Sequence, residues 1–277
     1  MFFKSKKKPE DEQNDEPVFR AMQRSDVKAA LKIINGADTD DRSHAAKTYK
    51  ASLEDKYVLV IGEHLVGVTG LTYAEETERT YWLSWTYIAT DFRNLGYGKL
   101  MLNRVLEIMQ EMEVRKTFIS TSDFWDAMEG DIYDDAKRLY QSLSFVEEVR
   151  VKDYYASGED MFVFARRIDP ALTSPPMMGP PDNRSIVFDG FHLAPEGREA
   201  YIVDWHFGPE GQENTAADQF ENNLAKLRNP RCALASVPSD AQAAIQGLKD
   251  WGLIEVGRMR DFFEDGVDNV MFRYDLY

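Results

Sequence analysis

The sequence predicts an α/β protein, because segments of strand composition alternate with segments of helical periodicity. Residues 81–88 are aromatic and β-branched, which is typical of a strand. Residues 100–112 carry apolar side chains at helical spacing on one face, namely Met101, Leu102, Val105, Leu106 and Met109. A strand, a turn and a helix are therefore expected over residues 81–112.

The start of the chain and the segment after this helix continue the alternation. Residues 18–22 predict a first strand, and the apolar-periodic run over residues 27–34 predicts a first helix. Ser25 and Asp26 precede that helix and have the side chains that cap helix N-termini. Residues 116–122 predict a further strand.

A glycine turn, which we define as residues 93–99, joins the strand at 81–88 to the following helix. It consists of Arg93, Asn94, Leu95, Gly96, Tyr97, Gly98 and Lys99. Backbone N–H groups at such a turn have no intrahelical partner, and the helix dipole adds partial positive charge. Gly96 and Gly98 leave the backbone open to an anion, and Arg93 and Lys99 add charge. The glycine turn is therefore predicted to bind phosphate groups.

Two common phosphate-binding patterns are excluded. The Rossmann fingerprint needs G-x-G-x-x-G with an acidic residue after the next strand, and the P-loop needs G-x-x-x-x-G-K-[ST]. The glycine turn has neither spacing.

Charge and composition restrict the partners. The 277 residues include 33 Lys and Arg against 48 Asp and Glu, a formal net charge of −15. This balance disfavours nucleic acid and favours a cationic substrate. Cys232 is the only cysteine, which excludes an internal disulfide and agrees with a cytoplasmic location. The four histidines show no metal spacing, and no apolar run is long enough to span a membrane, so neither a metal nor a membrane partner is expected.

The chain is predicted to contain two related halves. Residues 1–16 are expected to be a disordered tail, and residues 169–184, with five prolines, an extended linker. Without gaps, residues 136–168 and 244–276 share seven identities, and residues 70–85 resemble residues 190–205. We interpret residues 185–277 as a repeat of the preceding half that lacks its opening strand and helices.

The second half has lost the phosphate-binding pattern. Three positions of the glycine turn align with Glu213, Ala216 and Asp218, and Tyr140 aligns with Leu248. Carboxylates at a phosphate site would repel the ligand. We therefore expect the second half to be structural or to shape the substrate pocket.

On these motifs the chain resembles the GNAT superfamily of acetyl-CoA-dependent N-acetyltransferases. The glycine turn is similar to the family signature Arg/Gln-x-x-Gly-x-Gly/Ala. Residues 136–145 are similar to its downstream motif A-x-x-L-Y-x-x-x-G-F, with Ser144 in place of the glycine. The resemblance covers residues 17–168, the expected catalytic domain. It implies a mixed, mostly antiparallel sheet flanked by helices, followed here by a degenerate GNAT-like half at 185–277.

The resemblance implies transfer of an acetyl group from acetyl-CoA to a primary amine of a small molecule or peptide, by direct attack. Tyr140 matches the tyrosine that protonates the leaving thiolate, and the backbone at Ile88 is expected to stabilise the oxyanion. The family often has a glutamate on the strand before the turn, whereas residues 81–88 contain no carboxylate. A water molecule, with Asp123 near it, is the expected base. The other base candidates are Glu75, Glu76, and water held by Ser84 and Thr86.

The loop at 123–135 gives a clue to the acceptor. Its six carboxylates and its aromatic residues suit a cationic amine, although they also suit a solvated loop in which Asp134 or Asp135 caps the next helix. Three other functions remain open. They are a transferase that uses another acyl-CoA donor or is of the tandem-domain aminoacyl or mycothiol type, a non-catalytic acetyl-CoA sensor, and an assembly module in which the second half serves dimerisation.

Overall fold

The structure of the protein is a computed structural model that describes residues 16–37, 39–126, 130–170, 173, 184–195, 197–209 and 217–276. It divides into two compact units. Unit 1 comprises the described residues of Met1–Thr72 and Leu83–Met109, and unit 2 those of Tyr73–Trp82 and Gln110–Tyr277. The predicted tail and most of the predicted linker lie outside the described residues.

Unit 1 is a sheet with helices. Its strands run in the order β1 (Val18–Ala21), β2 (Lys56–Ile61), β3 (His64–Tyr73) and β4 (Thr80–Ile88), and its helices are α1 (Val27–Ala37), α2 (Thr39–Ala51), a 3-10 helix (Thr90–Phe92) and α3 (Tyr97–Glu111). The predicted first strand, first helix and strand at 81–88 are confirmed. Helix α3 begins three residues earlier than expected, and the predicted apolar face at 101–109 is buried.

Two apolar clusters stabilise unit 1. One joins α1 and α2 to the sheet through Ala30, Ile34, Ala45, Val58 and Val68. The other joins α3 to the sheet and contains Leu59, Ile61, Val66 and Met101, with Ile88 and Tyr97 packed against it. The glycine turn therefore begins from a strand and enters a helix that are both anchored in one core.

Unit 2 continues the alternation. After the start of β4, its elements are β5 (Lys116–Ser122), β6 (Trp125–Asp126), β7 (Gly130–Asp131), α4 (Asp134–Ser142), β8 (Val146–Ala156), β9 (Glu159–Arg167), β10 (Ile186–Leu193), β11 (Ala200–Phe207), α5 (Ala217–Leu224), β12 (Cys232–Pro238), α6 (Gln242–Asp250), β13 (Ile254–Glu264) and β14 (Val267–Asp275). The strand order is β5-β9-β8-β13-β14-β12-β11-β10, and β6 pairs with β7 separately. The strand predicted at 116–122 is confirmed as β5.

The predicted fold class is confirmed. The strands pair mostly antiparallel, and the parallel pairs that the structure describes are β4 with β5 and β11 with β12. Helix α4 has Tyr133 at its N-cap without a side-chain cap bond, so Asp134 and Asp135 lie in its first turn rather than capping it. Their charges still favour the positive end of the helix dipole.

Two hairpins of unit 2 have the same turn. In the first hairpin (β8–β9), Asp153 has a φ of 51°, its N–H donates to the Asp160 carboxylate at 2.8 Å, and its carboxylate accepts the Gly158 N–H at 2.5 Å. In the second hairpin (β13–β14), Asp261 has a φ of 48° and makes the matching bonds to Asp268 and Gly266, each at 2.9 Å. Residues 108 positions apart thus form one motif twice.

The two hairpins pair inside unit 2, and each accepts a backbone hydrogen bond from a turn between two strands of the other half. Strands β8 and β13 pair at Val149 and Gly257, which are themselves 108 positions apart. The Glu78 N–H donates to the Phe263 carbonyl at 2.6 Å, and the Arg198 N–H donates to the Tyr155 carbonyl at 2.8 Å. Two arginines also take matching positions, since Arg115 Nε donates to the Glu78 carbonyl at 2.8 Å and Arg231 Nε to the Arg198 carbonyl at 2.9 Å.

Candidate active site

The glycine turn has a backbone that few residues other than glycine adopt easily. After the 3-10 helix and Arg93 the chain turns through Asn94, with a φ of 62°, and Gly96, with a φ of 86°. A Cβ added at Gly96 would meet no atom within 4 Å, so the glycine is there for its conformation and leaves open space above it. Arg93, Asn94, Leu95, Gly96 and Lys99 are exposed, whereas Tyr97 and Gly98 are half-buried.

The N-terminus of α3 leaves backbone donors free. The Leu100 N–H donates to the Gly96 carbonyl at 3.1 Å and so closes the first helical turn. Within the described residues, no acceptor takes the N–H groups of Tyr97, Gly98 or Lys99. Free donors at the positive end of a fifteen-residue helix are the requirement for binding an anion. The turn thus has the properties predicted for a phosphate site.

Packing beneath the turn sets its position. Ile88 and Met101 meet over Gly67 of β3, where an added Cβ would lie 2.8 Å from Ile88 Cδ1 and 3.0 Å from Met101 Sδ. A larger residue at position 67 would force these side chains apart. Gly67 therefore lets the strand before the turn and the helix after it approach closely.

The end of β4 has an open edge. The register pairs β4 with β5 over Thr80, Tyr81 and Trp82, and no described strand pairs with this edge from Leu83 to Ile88. The Ala89 N–H donates to Val66 of β3 at 2.9 Å, so the alternation of strand backbone turns the N–H and C=O of Ile88 away from β3. Arg93 Nε donates to that carbonyl at 3.3 Å, and the Ile88 N–H is left toward the open edge.

Tyr140 lies on α4 in unit 2. Its side chain is 5% exposed, and its ring lies 6.0 Å from the rings of Phe145 and Phe164. Its hydroxyl makes no hydrogen bond within the described residues. Burial raises the pKa of the phenol above its ordinary value, so Tyr140 remains protonated and can act as a proton donor at neutral pH.

Asp123 has a structural contact. Its carboxylate accepts the Asp160 N–H at 2.8 Å and lies 3.7 Å from the Arg150 guanidinium. At the corresponding place before the second hairpin, Ser239 Oγ accepts the Asp268 N–H at 2.9 Å. Asp123 and Ser239 therefore each accept a backbone N–H of the hairpin that follows them. Asp123 stays a predicted base and also has this structural role.

The other predicted base candidates have different surroundings. Ser84 Oγ lies 3.4 Å from Thr72 Oγ1, and Thr86 Oγ1 lies 2.9 Å from Thr69 Oγ1. Because a hydroxyl both donates and accepts, Ser84 and Thr86 keep the capacity to hold a water molecule. Glu75 and Glu76 lie exposed in the turn between β3 and β4.

The loop at 123–135 is partly described. Phe124 is exposed, Trp125 is 73% exposed, and Asp131 accepts a hydrogen bond from Lys137 Nζ at 2.6 Å. Residues 127–129 lie outside the described part. Two aromatic side chains of this loop, Phe124 and Trp125, are therefore exposed and available to contact a ligand.

One pair escaped the sequence analysis. The Tyr87 hydroxyl on β4 donates a hydrogen bond to Asp41 of α2, and both side chains are half-buried. Helix α2 has few apolar residues, so its burial cannot be seen from periodicity, and 46 positions separate the partners. The sequence offers one signal for this pair: β4 has no carboxylate of its own, and an acidic residue stands on a helix earlier in the chain.

The structure brings the predicted nucleotide-binding residues together in unit 1, whereas Tyr140 and Asp123 belong to unit 2. Among the described residues, no group of three or more His, Cys, Asp or Glu could hold a metal ion. Within the same residues, every helix is too short or too polar to cross a membrane.

Residues 27–145 match the family model described as the acetyltransferase (GNAT) family. A search of curated proteins finds no significant match. Solved structures with a similar backbone include a GNAT-family protein from Desulfovibrio desulfuricans, with 18% identity, a TM-score of 0.48, and coverage of 56% of this chain and 100% of that chain.

Two further structures are the ribosomal-protein-S18-alanine N-acetyltransferase from Escherichia coli and an aminoglycoside 6'-N-acetyltransferase complexed with coenzyme A. The first is 19% identical with a TM-score of 0.46, and the alignment covers 58% of this chain and 100% of that chain. The second is 12% identical with a TM-score of 0.48, and the coverage is 56% and 99%. The matched segment contains both the glycine turn and Tyr140, so residues 27–145 are similar to the acetyltransferase (GNAT) family over the part of the chain that carries the predicted coenzyme site.

Proposed function

We propose that the protein transfers the acetyl group of acetyl-CoA to a primary amine of a small molecule or peptide. One observation carries the proposal. At the start of α3 the glycine turn offers N–H groups that no described residue accepts, inside the segment that matches a family of acetyl-CoA-dependent enzymes. The chemistry of these donors fits a diphosphate.

The turn and the strand before it have separate tasks. The N–H groups at 97–99, together with Arg93 and Lys99, hold the diphosphate of the coenzyme. The open edge of β4 takes the extended arm of the coenzyme in the manner of an added strand. The Ile88 N–H on this edge donates to the thioester oxygen and stabilises the negative charge that forms there during attack.

The proton balance assigns a role to Tyr140. A neutral amine forms a bond to the carbonyl carbon, the carbon–sulfur bond breaks, and the sulfur leaves as a thiolate that needs a proton. The phenol of Tyr140 supplies this proton, because its raised pKa keeps it protonated until the thiolate forms. The amine must lose a proton to a base, for which Asp123 and water held at Ser84 and Thr86 are the predicted groups.

Charge supports a cationic acceptor. The net charge of −15 attracts cations to the surface, and the loop at 123–135 adds carboxylates and exposed aromatic rings. The same balance disfavours nucleic acid. We place the enzyme in the cytoplasm, in agreement with a single, buried cysteine.

We assign the second half, residues 185–277, to a degenerate GNAT-like repeat. The matched turns at Asp153 and Asp261 and the matched arginines Arg115 and Arg231 support this assignment. Element starts support it as well, since β11 begins 120 positions after β4 and α5 begins 120 positions after α3. This half stabilises the sheet and does not bind coenzyme.

The test is an assay of free thiol release from acetyl-CoA with four amine probes: spermidine, lysine, kanamycin, and a peptide with a free N-terminal alanine. Tyr140→Phe should lower kcat by about 100-fold and leave the affinity for coenzyme A unchanged. Tyr49→Phe is the matched control, because Tyr49 is also buried, its hydroxyl also finds no partner among the described residues, and burial likewise raises its pKa.

The outcomes separate the alternatives. Tight binding of acetyl-CoA without turnover on any probe would indicate a sensor rather than an enzyme. Turnover with longer acyl donors but not with acetyl-CoA would assign another acyl group. If neither binding nor turnover occurs, the proposed role of the glycine turn is wrong. The mass of the intact chain in solution tests whether it forms a homodimer.

A further inference from the structure

Asp41 and Tyr87 form a polar pair in unit 1 that the proposed function has not yet used. The Tyr87 hydroxyl donates to a carboxylate oxygen of Asp41. Tyr87 lies on β4 directly before Ile88, the residue expected to bind the thioester oxygen, and both belong to the same unit as the glycine turn. Tyr87 is therefore the neighbour in the chain of the residue whose N–H is proposed to bind the thioester oxygen.

The surroundings of the pair are apolar. Tyr87 and Trp85 pack against the cluster that includes the buried Ala45, Val58 and Val68. Ala45 follows Asp41 by one helical turn, so the two residues share one face of α2. The hydrogen bond offsets the cost of placing two polar groups beside the cluster, so Tyr87 and Asp41 form a stable polar unit there.

Most titratable groups near the pair are on the surface. Asp40, Arg42 and His44 flank it on α2, and the neighbouring α1 and 3-10 helix carry Lys28, Lys32 and Asp91. Arg42, Lys28, Lys32 and Asp91 are exposed, and His44 is half-buried. Bulk solvent screens exposed charges, so these four groups act only weakly on the half-buried Asp41 carboxylate.

We infer that Tyr87 and Asp41 relay the proton of the acceptor amine. This rests on the proposed function. The substrate ammonium gives a proton to the Tyr87 oxygen while the Tyr87 proton moves to Asp41, which becomes a neutral carboxylic acid. The amine is left neutral and attacks the thioester. Asp41 later returns the proton to solvent. Tyr87 touches the substrate and is catalytic, whereas Asp41 acts through it.

This assignment gives the missing base a location. Strand β4 has no carboxylate of its own, and α2 supplies one through Tyr87. Asp123 is engaged with the Asp160 N–H, a task that Ser239 performs without a carboxylate in the other half. A relay through Asp41 and a base at Asp123 therefore predict opposite orders of activity for the Asp41→Asn and Asp123→Asn variants, which the experiment compares directly.

The experiment measures kcat/KM from pH 6 to pH 9 with the most active of the four amine probes. Asp41→Asn should lower kcat/KM at pH 7 by about 100-fold, and the remaining activity should rise about tenfold per pH unit, because only the neutral amine reacts. Tyr87→Phe should behave similarly. Asp123→Asn, at the other predicted base, should lower kcat/KM at pH 7 less than Asp41→Asn does, and its amide oxygen still accepts the Asp160 N–H.

A second tyrosine–aspartate pair in unit 1 provides the matched control. The Tyr57 hydroxyl lies 3.5 Å from Asp55, on β2 and the residue before it. Asp55→Asn and Tyr57→Phe should leave both rate and pH profile unchanged. Affinity for coenzyme A should be the same in every variant.

Three outcomes decide the matter. If the wild-type protein acetylates a probe and Asp41→Asn keeps its pH profile, the relay is wrong while the proposed function stands. If Asp41→Asn raises only the KM for the amine, Asp41 binds substrate and the relay is again wrong. If the wild-type protein acetylates no probe, the proposed function itself fails. Tyr87→Phe, which keeps the ring and its packing, decides the case if Asp41→Asn does not fold.

Discussion

Two strand–turn–helix segments of this chain begin alike and end differently. Strands β4 and β11 begin 120 positions apart, as do helices α3 and α5. The first segment has a glycine turn with free N–H groups, whereas the second has Asp218 in the first turn of α5. The Asp218 carboxylate lies at the positive end of the α5 dipole, which is where a phosphate would have to bind. The difference between the segments is thus the anion site itself.

The hairpins show the opposite behaviour. The turn residues Asp153 and Asp261 have φ values within a few degrees of each other and make the same two side-chain bonds. Arg115 and Arg231 each bind the backbone at the joint between the halves. The comparison supports the proposal that the second half keeps the contacts that stabilise the sheet and has lost the coenzyme site.

The largest expected effect concerns the arginines of the joint. Arg115 is fully buried and donates to Thr80 Oγ1 at 2.8 Å and to the Phe262 carbonyl at 3.2 Å, beside Asp265. Arg115→Met removes several buried hydrogen bonds of a charged donor, including the one to the Glu78 carbonyl, although Asp265 keeps Arg167 and the Phe262 carbonyl keeps Thr80 Oγ1. The free energy of unfolding should therefore fall by about 3–5 kcal/mol. Urea denaturation followed by circular dichroism measures it.

Arg231→Met provides the comparison within the same chain. In the part of the chain that the structure describes, Arg231 donates to backbone carbonyls alone, those of Asp153, Tyr154 and Arg198. Its loss should cost about 1–3 kcal/mol, because no charged partner is left behind. Equal and small losses for the two variants would contradict the view that both arginines stabilise the joint.

The second prediction transfers residues of the second half into the glycine turn. Arg93→Glu combined with Gly98→Asp puts two carboxylates at the expected diphosphate site. The dissociation constant for acetyl-CoA should rise at least about 100-fold, or about 2.7 kcal/mol. Isothermal titration calorimetry measures it, with Asp218→Gly as the control that should bind as the wild-type protein does. Unchanged binding in the double variant would move the coenzyme site elsewhere.

Local chemistry explains which parts of the structure the sequence predicts. The strand at 81–88, the glycine turn and the apolar face of α3 follow from composition and spacing, and the structure confirms the elements. Burial of Arg115 could not be predicted, because its partners Phe262 and Asp265 lie about 150 positions away. The Asp41–Tyr87 pair was equally hidden, since α2 lacks the apolar periodicity that shows which face is buried.

The third prediction uses one turn that both halves share. Ser144 has a φ of 63° after α4, and Gly252, 108 positions later, has a φ of 87° after α6. Glycine adopts this region without strain, so Ser144→Gly should stabilise the protein by up to about 1 kcal/mol. Gly252→Ala should destabilise it by more, because its Cβ would also lie 3.0 Å from the Tyr274 ring. Thermal unfolding compares the two, and a loss of stability in Ser144→Gly would refute the strain.

The smallest expected effect tests a difference between the hairpin turns. Asp265 stands where the first hairpin has Ser157, and the hydrogen bond from Arg167 lowers the pKa of its carboxyl. A lowered pKa in the folded state means that Asp265 adds stability above its unfolded pKa and loses it as the pH falls through the folded value. The stability difference between the wild-type protein and Asp265→Asn should therefore be present at pH 7, where it should be about 1 kcal/mol or less because the pair is partly exposed. It should shrink from about pH 4 downward.

Urea denaturation at pH 7, 4 and 2.5 measures the stability difference, and Arg167→Gln should remove the pH dependence of the difference. A difference that grows toward low pH would mean that the carboxyl is stabilised in its protonated form, and the second hairpin would then owe nothing to this ion pair.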